Sequence, residues 1–329
     1  MLSQEKMVEL SQEQVFNPEQ LGGSIKRKIV NPELIKERAR CTFDRVEAQK
    51  VLIPADIRQE MQFGIDLVKK HPEVATSKNF YEKTRLEKFQ EWWDRYKVIL
   101  SDPEFRHLIT NNSHKKCKYY SWYFGFAGTS PMTLHMQMFT KAVLQLGSEE
   151  QARHYGPLID SWQIIGCYAQ TELGHGSNVA GLETTATLDL ETDEFVIHTP
   201  TFKAAKFWPG NLGIQGTHAV VFARCIACDT DYGVQPFIVP VRDVNTHEVL
   251  PGVEVGDMGT KLGYNSVDNG YLMYNNFRVP RKALLSRFMS ITKTGEFKMK
   301  ANPRMIYQIM TQTRIVIITG AAYTMHRAA

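Results

Sequence analysis

The sequence of 329 residues has few cysteines, a small net charge and no long apolar run, and each of these excludes a class of protein. Five scattered cysteines, behind a polar segment Met1–Glu13 that does not resemble a secretory signal, predict a reducing compartment rather than a disulfide framework. A net charge of +4 is too small to indicate a nucleic-acid partner. The longest apolar run near the C-terminus, Ile315–Ala322, is too short to span a membrane. We therefore expect a soluble intracellular protein with a large core.

Motifs for metal, nucleotide and hydrolase chemistry are also missing or incomplete. Cys225-Ile-Ala-Cys228 is a C-x-x-C pair, but a zinc ribbon needs a second pair, and the sequence has none. Strand residues three apart point to opposite faces, so we expect two packed strand residues and no metal site. The run Gly174-x-Gly176 lacks the third glycine of a dinucleotide fingerprint, because Val179 occupies that place.

The spacing of apolar residues predicts helices first, then strands, then a helix. Residues 1–24 form a polar leader that we expect to be mobile, and residues 25–163 have a helical period. Ser148-Glu-Glu-Gln151 has the pattern of a capping box at the start of a helix. Residues 164–290 instead contain short β-branched and aromatic runs between turn residues, at 184–188, 195–198, 219–223, 237–241 and 270–274.

This order predicts an α+β fold with three parts. They are an N-terminal helical domain, a middle domain built as an antiparallel sheet or barrel, and at 291–329 the start of a C-terminal helical domain. Ile315–Ile318 and the small residues after it are apolar on all sides, so we expect this helix to be buried. Because no later segment of the sequence covers it, we expect the C-terminal domain to be incomplete.

The segment 166–216 carries the most specific functional pattern. Gly166–Gln170 is a short strand-like run, and Thr171 follows where that strand ends. Glycines in the next stretch leave backbone N–H groups able to face a ligand. Further on, Lys206–Gly210 supplies a flat tryptophan beside another glycine. Hydroxyl and amide groups facing an aromatic turn suit a planar heterocycle with polar edges, such as a flavin.

The same residues carry a resemblance to a known family. Tyr168–Asn178, with the sequence YAQTELGHGSN, and the following Gly181–Ala186 resemble the flavin loop of acyl-CoA oxidases, which are relatives of the acyl-CoA dehydrogenases. Lys206–Gly213 and the segment from Gly256 through Tyr271 agree with it. The likeness runs from roughly Asn31 to the last residue, and several motifs in the right order make it specific.

The resemblance implies roles for single residues that the residues alone leave open. Thr171 and Gly210 match flavin-contacting positions, although they also suit a strand-end hydroxyl and a turn glycine. Trp208 matches a tryptophan that packs on the isoalloxazine, and is otherwise an ordinary core aromatic. Ser177 matches a position near the cofactor pyrophosphate or the thioester, and Gln170 is expected to add an amide contact. His175, between two glycines, fits a loop residue with one hydrogen bond better than a catalytic base.

The implied activity is FAD-dependent oxidation of acyl-CoA to trans-2-enoyl-CoA. Electrons pass to molecular oxygen and give hydrogen peroxide, as the first step of peroxisomal fatty acid β-oxidation. The resemblance also implies a homodimer for the full-length form. Two alternatives are an acyl-CoA dehydrogenase, which passes electrons to a protein, and a non-catalytic partner subunit of an intact oxidase. The last residues, Arg327-Ala328-Ala329, are not a Ser-Lys-Leu signal, so the peroxisome is implied by the family only.

The chain departs from the family at its catalytic residue. The resemblance implies that the catalytic Glu lies in the C-terminal helical domain, beyond residue 329, so we expect no catalytic base in this chain. Arg314 resembles an arginine that neighbours that base and the substrate. We therefore expect a chain that carries the family's first two domains and has little or no turnover alone.

Overall fold

The fold is described by a computed structural model that covers residues 32–52, 55–103, 106, 129–302, 305 and 308–328. The predicted leader, 1–24, lies outside the described residues. Two compact units are present, one within residues 1–83 and 93–127 and the other within 84–92 and 128–329. Seven α-helices are described: α1 Pro32–Ala39, α2 Arg45–Leu52, α3 Ala55–Lys70, α4 Arg85–Ser101, α5 Thr140–Leu146, α6 Glu149–Asp160 and α7 Gln308–Ala328.

The first unit is helical, as its apolar spacing predicts. Its buried residues include Val74, Phe80, Tyr96 and Ile99. A buried carboxylate joins the end of α3 to the end of α4. Asp102 Oδ2 lies 2.7 Å from Lys70 Nζ and 2.9 Å from His71 Nε2.

In the second unit, a π-helical turn at His135–Phe139 leads directly into α5. The ring of buried His135 accepts a hydrogen bond at Nδ1 from the Gly166 backbone, 3.0 Å away, which ties this turn to the first strand. α6 begins with the predicted capping box. Ser148 Oγ accepts from the Gln151 N–H at 3.2 Å, and Gln151 Oε1 accepts from the Ser148 N–H at 2.8 Å.

Eleven strands follow among the described residues, and the α+β class is confirmed. The strands are β1 Gly166–Ala169, β2 Thr185–Asp189, β3 Glu194–His198, β4 Lys206–Phe207, β5 His218–Ala227, β6 Thr230–Pro240, β7 Val253–Asp257, β8 Gly270–Tyr274, β9 Phe277–Pro280, β10 Met289–Ile291 and β11 Phe297–Met299.

The largest sheet is mixed rather than antiparallel throughout. Its order is β1-β5-β2-β3-β9, with β6 on β5 as well. β1 and β2 both run parallel to β5, because the chain reaches β5 through a long connection and not through a hairpin. The other pairs, β5–β6, β2–β3 and β3–β9, are antiparallel as expected. Buried aromatic residues of this sheet form the centre of the core, with Phe195 and Phe237 packed edge to face at 4.9 Å.

A smaller three-stranded sheet, β4-β8-β7, carries the tryptophan turn. β4 pairs with β8 in antiparallel register, Phe207 opposite Tyr271. β7 pairs with the other edge of β8. The turn 208–216 therefore leaves the edge of a short sheet, and its position is set by β8.

One detail of the sequence-based prediction is wrong. Cys225 is buried in β5, but Cys228 lies beyond the end of that strand, in an exposed turn with φ of 48°. The burial expected for the apolar stretch of α7 stays a prediction, because the described residues do not cover it: Ile315, Ile317 and Ile318 are 61%, 63% and 71% exposed. Among the described side chains of α7, Ile309 is buried in the core and Met310 packs against it.

The described residues contain neither a candidate membrane span nor a candidate cluster of metal ligands. None of the described helices is both long and apolar enough to cross a membrane. Within the same part of the chain, no three His, Cys, Asp or Glu side chains are grouped as metal ligands.

Candidate functional site

The site is built where the end of β1 meets β4. β1 ends at Ala169, Gln170 is buried, and Thr171 follows at the start of the loop. The backbone N–H of Phe207 donates to the Thr171 carbonyl at 3.0 Å. Glu172 pairs with Lys206 in an antiparallel bridge. Thr171 is thus fixed beside the strand that delivers Trp208.

Two polar groups at this junction lack a partner among the described residues. The hydroxyl of half-buried Thr171 makes no hydrogen bond with another described residue. The amide nitrogen Nε2 of Gln170 is buried and has no acceptor in the same part of the chain. A buried donor without an acceptor costs free energy, on the order of 1–3 kcal/mol. Such a donor is expected where a ligand supplies the acceptor.

Trp208 has a strained backbone and an exposed ring. Its φ is 83°, a region that bulky residues rarely occupy. The residue is 52% exposed, so burial of the indole does not account for this conformation. Two hydrogen bonds to the Trp208 backbone hold this conformation. The Trp208 N–H donates to the Gly270 carbonyl at 3.1 Å, and the Asn269 side chain donates through Nδ2 to the Trp208 carbonyl at 2.8 Å. Strain of this kind is concentrated at ligand sites.

Gly210 has a reason to be glycine that lies inside the protein. A Cβ at this position would lie 2.3 Å from Leu134 Cδ1 and 3.0 Å from Val267 Cγ1. Close packing between the turn and these side chains therefore requires glycine here. The flavin contact implied for Gly210 stays a prediction, and the backbone of this residue would make that contact.

The loop after Thr171 is held at one end and open at its middle. The Gly174 N–H donates to the Lys203 carbonyl at 2.8 Å. His175 Nε2 lies 3.1 Å from Glu183 Oε1, the single side-chain contact expected of a loop histidine. Ser177 is exposed, and a Cβ at Gly176 would meet nothing within 4 Å. The described part of the loop thus offers open space around Ser177.

Arg314 is not brought to this junction by any described contact. It is exposed on α7, and no hydrogen bond or ion pair joins it to another residue that the structure describes. Thr171, Gln170 and Trp208 therefore form the site, with Gly210 in its turn and Ser177 in its loop.

A buried ion pair, which the sequence analysis missed, underlies the junction. Lys206 Nζ lies 2.9 Å from Glu172 Oε1, and both side chains are fully removed from solvent. Lys206 Nζ also donates to the carbonyls of Gln170 at 3.3 Å and Phe222 at 2.6 Å. The sequence offers two weak signals of this ion pair: a lysine two positions before the tryptophan and a glutamate next to the threonine.

The carboxylate of Glu172 is saturated with donors. Oε1 accepts from the Thr184 N–H at 2.9 Å and from the Thr184 hydroxyl at 2.6 Å, while Oε2 accepts from the Glu183 N–H at 2.8 Å. Burial raises the pKa of this carboxyl, but the Lys206 charge and these hydrogen bonds outweigh it and hold the pKa below its usual value. Burial lowers the pKa of Lys206 to about 8, so the ammonium persists at neutral pH. The pair is therefore charged.

A second missed residue, Asp268, holds the turn after Gly210. Its Oδ2 accepts from the backbone N–H groups of Ile214 at 3.0 Å and Gln215 at 2.9 Å. Gln215 Nε2 donates to Oδ1 at 3.1 Å and to the Pro131 carbonyl at 3.2 Å. Burial raises the pKa of Asp268 to about 6, against the hydrogen bonds that lower it. This carboxyl connects the turn to the segment before the π-helix.

Two family models match the chain on either side of the start of β1. The model described as acyl-coenzyme A oxidase N-terminal matches residues 58–165, and the acyl-CoA dehydrogenase middle domain matches residues 167–277. The chain belongs to the acyl-CoA oxidase family. Within that family, the site described above lies in the middle domain.

Relatives in the family are much longer than this chain. Peroxisomal acyl-coenzyme A oxidase 1 of Arabidopsis thaliana is 51% identical over 199 residues, 59% of this chain and 30% of that protein. The rat enzyme of the same name, from Rattus norvegicus, is 32% identical over 320 residues, 91% of this chain and 45% of that protein. The chain thus spans less than half the length of these relatives.

Solved structures of acyl-CoA oxidases share the fold. Arabidopsis thaliana acyl-CoA oxidase 1 superposes with a TM-score of 0.78 at 39% identity, over 88% of this chain and 44% of that one. Acyl-CoA oxidase-2 of Caenorhabditis elegans, a structure bound with FAD, ascaroside-CoA and ATP, gives a TM-score of 0.80 at 37% identity. That match covers 88% of this chain and 43% of the other.

Proposed function

We propose that this chain carries the flavin-binding part of an acyl-CoA oxidase, and that Thr171 and Trp208 hold FAD between the end of β1 and the end of β4. The observation that carries the proposal is Trp208, which is held at φ of 83° and is 52% exposed, next to Phe207, whose N–H donates to Thr171. A strained, exposed aromatic near a hydroxyl with no partner among the described residues is the arrangement that a planar polar ligand would complete.

The residues present fit the polar edge and flat face of a flavin. A threonine hydroxyl such as that of Thr171 can both donate and accept a hydrogen bond. The buried amide nitrogen of Gln170 has no acceptor among the described residues, so it can donate to a ligand. The Trp208 indole offers an apolar face for stacking. The chemistry that FAD supplies when bound is acceptance of a hydride from the acyl chain and transfer of the electrons to oxygen. In this proposal, the role of the chain is to bind and orient.

We further propose that the base for α-proton removal is not among the described carboxylates near Thr171. Glu172 is adjacent in sequence, but its oxygens already accept from Lys206, Thr184 and Glu183. Glu183 is engaged by His175 and by the Thr201 hydroxyl at 3.0 Å. This supports the expectation that the catalytic Glu belongs to a segment beyond residue 329, and that this chain has little turnover alone.

For the whole protein, we propose oxidation of acyl-CoA to trans-2-enoyl-CoA with release of hydrogen peroxide, by a homodimer in the peroxisome. For the oxidation and the peroxisome, the support is the names of the relatives, which are peroxisomal acyl-coenzyme A oxidases; the homodimer rests on the family resemblance alone. The acceptor separates this activity from that of an acyl-CoA dehydrogenase, because an oxidase consumes oxygen when acyl-CoA is added and no protein acceptor is present. Oxygen uptake by a form that extends beyond residue 329 tests this choice.

FAD binding tests the proposal on this chain directly. The purified chain is incubated with FAD and desalted, and the retained flavin is measured by its visible absorption. We expect flavin bands to remain, and we expect Thr171→Ala and Trp208→Leu to weaken FAD binding about tenfold each, as loss of one hydrogen bond or one stacking contact predicts.

Matched controls lie outside the site. Thr187→Ala removes an exposed threonine of β2, and Phe202→Leu removes an aromatic that is 70% exposed. Both variants are expected to retain FAD like the parent chain. Binding that is lost equally in the site and control variants, or never detected in the parent chain, contradicts the proposal.

A further inference from the structure

The buried ion pair under the site makes hydrogen bonds to the backbone of four other residues. Lys206 Nζ holds the carbonyls of Gln170 and Phe222 as well as the Glu172 carboxylate. Glu172 in turn holds the backbone at Glu183 and Thr184. The three donors of the ammonium thus meet three acceptors, and the pair connects β4 and β5 with the residue after β1 and the residues before β2.

Lys206 binds two residues of the loop, and Thr171 lies between them in the sequence. Gln170 is held through its carbonyl and Glu172 through its carboxylate. On the strand side, Lys206 is two residues before Trp208, and the Phe207 N–H between them donates to Thr171. A shift of the ammonium would therefore change the distance between Thr171 and Trp208.

We propose that Glu172–Lys206 is a positioning pair that sets Thr171 against β4, the strand that leads into Trp208. The structural role of the pair rests on the contacts alone. Its role in cofactor binding rests also on the proposed function. Apolar residues of the same volume often stabilise a core at least as well as a buried ion pair. What they lack is direction, and here two directed bonds from Lys206 fix the loop to β4, while four more hold the pair to Phe222, Glu183 and Thr184.

Two neighbouring amides give a readout that needs no cofactor. The Phe207 N–H bonds to Thr171, across the junction, whereas the Trp208 N–H bonds to Gly270, within the small sheet. In the double variant Glu172→Gln/Lys206→Met, hydrogen exchange at Phe207 should accelerate at least about tenfold relative to Trp208, because only the first bond depends on the pair. Amide-resolved NMR without FAD measures both rates in the same sample.

The matched control is an exposed pair of the same two residue types. Glu150 and Lys282 approach to 3.4 Å with both side chains more than three-quarters exposed, and Glu150→Gln/Lys282→Met should leave the Phe207 to Trp208 ratio unchanged. Should the double variant of the buried pair not fold, Glu172→Gln alone provides the test, since Lys206 keeps its two carbonyl acceptors.

FAD binding separates this proposal from the proposed function. A raised exchange ratio with FAD affinity at least about tenfold weaker supports both. An unchanged ratio, or equal acceleration at both amides, overturns the positioning role even if the parent chain binds FAD. A raised ratio in a chain that never binds FAD supports the positioning role and overturns the proposed function.

Discussion

His135 Nδ1 accepts a hydrogen bond from the backbone N–H of Gly166 at 3.0 Å, and this bond joins the π-helical turn to β1. His135 is buried, and burial lowers its pKa to about 4, against a hydrogen bond to the Ile159 backbone that raises it. The ring is therefore neutral at pH 7, with Nε2 as the donor and Nδ1 as the acceptor. A proton on Nδ1 would face the Gly166 N–H and break the connection.

We predict that acid weakens the fold through His135. The folded pKa of about 4 lies below the unfolded value of 6.5, so the unfolded chain binds more protons between these values. The free energy of unfolding should therefore rise with pH in this window and fall on acidification. His135→Gln keeps an acceptor for Gly166 and should reduce the change between pH 6.5 and 5.5 by about 1 kcal/mol.

Urea unfolding at several pH values measures this change. Asp268, with a pKa raised to about 6, acts in the opposite direction, because the folded state binds its proton more tightly than the unfolded state. That contribution is present in the parent and in His135→Gln, so it cancels in the comparison. His154→Gln, at an exposed histidine of α6, is the control. An unchanged pH dependence in His135→Gln would contradict the prediction.

We predict that Gly166→Ala destabilises the second unit by about 1–3 kcal/mol, as overpacking of a core does. A Cβ on Gly166 would lie 2.3 Å from three carbons of the buried Phe139 ring. Gly263→Ala is the control, because a Cβ there meets nothing within 4 Å and its φ is not positive. Equal unfolding free energies for the two variants would show that Phe139 moves aside without cost.

The elements of the second unit follow from local sequence patterns. The capping box at Ser148 and strands such as β8 lie where their residues predict, because caps and period-two runs depend on near neighbours. The parallel pairing of β1 with β5 does not follow, because it depends on a long connection. The strand position predicted for Cys228 is wrong for a related reason, since a turn with positive φ ends β5 one residue earlier.

Some residues of the candidate site could likewise be predicted from the sequence, and others could not. Thr171 and Trp208 were predicted through a family pattern; the Phe207 N–H donates to the Thr171 carbonyl, and the flavin contacts of the two residues stay predictions. The Glu172–Lys206 pair was missed, because charged residues in a sequence are expected at the surface unless a partner is known. Packing against Leu134, distant in sequence, also requires glycine at position 210, and this the sequence did not show; the ligand approach predicted for Gly210 stays a prediction.

We predict that Cys228 reacts rapidly with a thiol reagent in the native protein, while Cys167 and Cys225 do not. Cys228 is exposed, and the other two are buried. Burial and the nearby Asp231 raise the pKa of Cys225 to about 12, and burial raises that of Cys167 further, so neither forms a thiolate near neutral pH. Labelling with an aromatic disulfide reagent should lose one fast-reacting thiol in Cys228→Ser and none in Cys225→Ala. The reverse result would contradict this assignment.

We predict that Trp208→Gly stabilises the cofactor-free chain and weakens FAD binding. Glycine adopts a φ of 83° without strain, and Trp208 is 52% exposed, so relief of strain should exceed the lost packing by about 1 kcal/mol. Tyr264→Gly is the matched control, because Tyr264 has φ of 59° and is 65% exposed, outside the proposed site. Urea unfolding and FAD titration of both variants give the test. Stabilisation of both with FAD binding lost only in Trp208→Gly would mean that the strain at Trp208 is kept for ligand binding. FAD binding that survives in Trp208→Gly would contradict the stacking role.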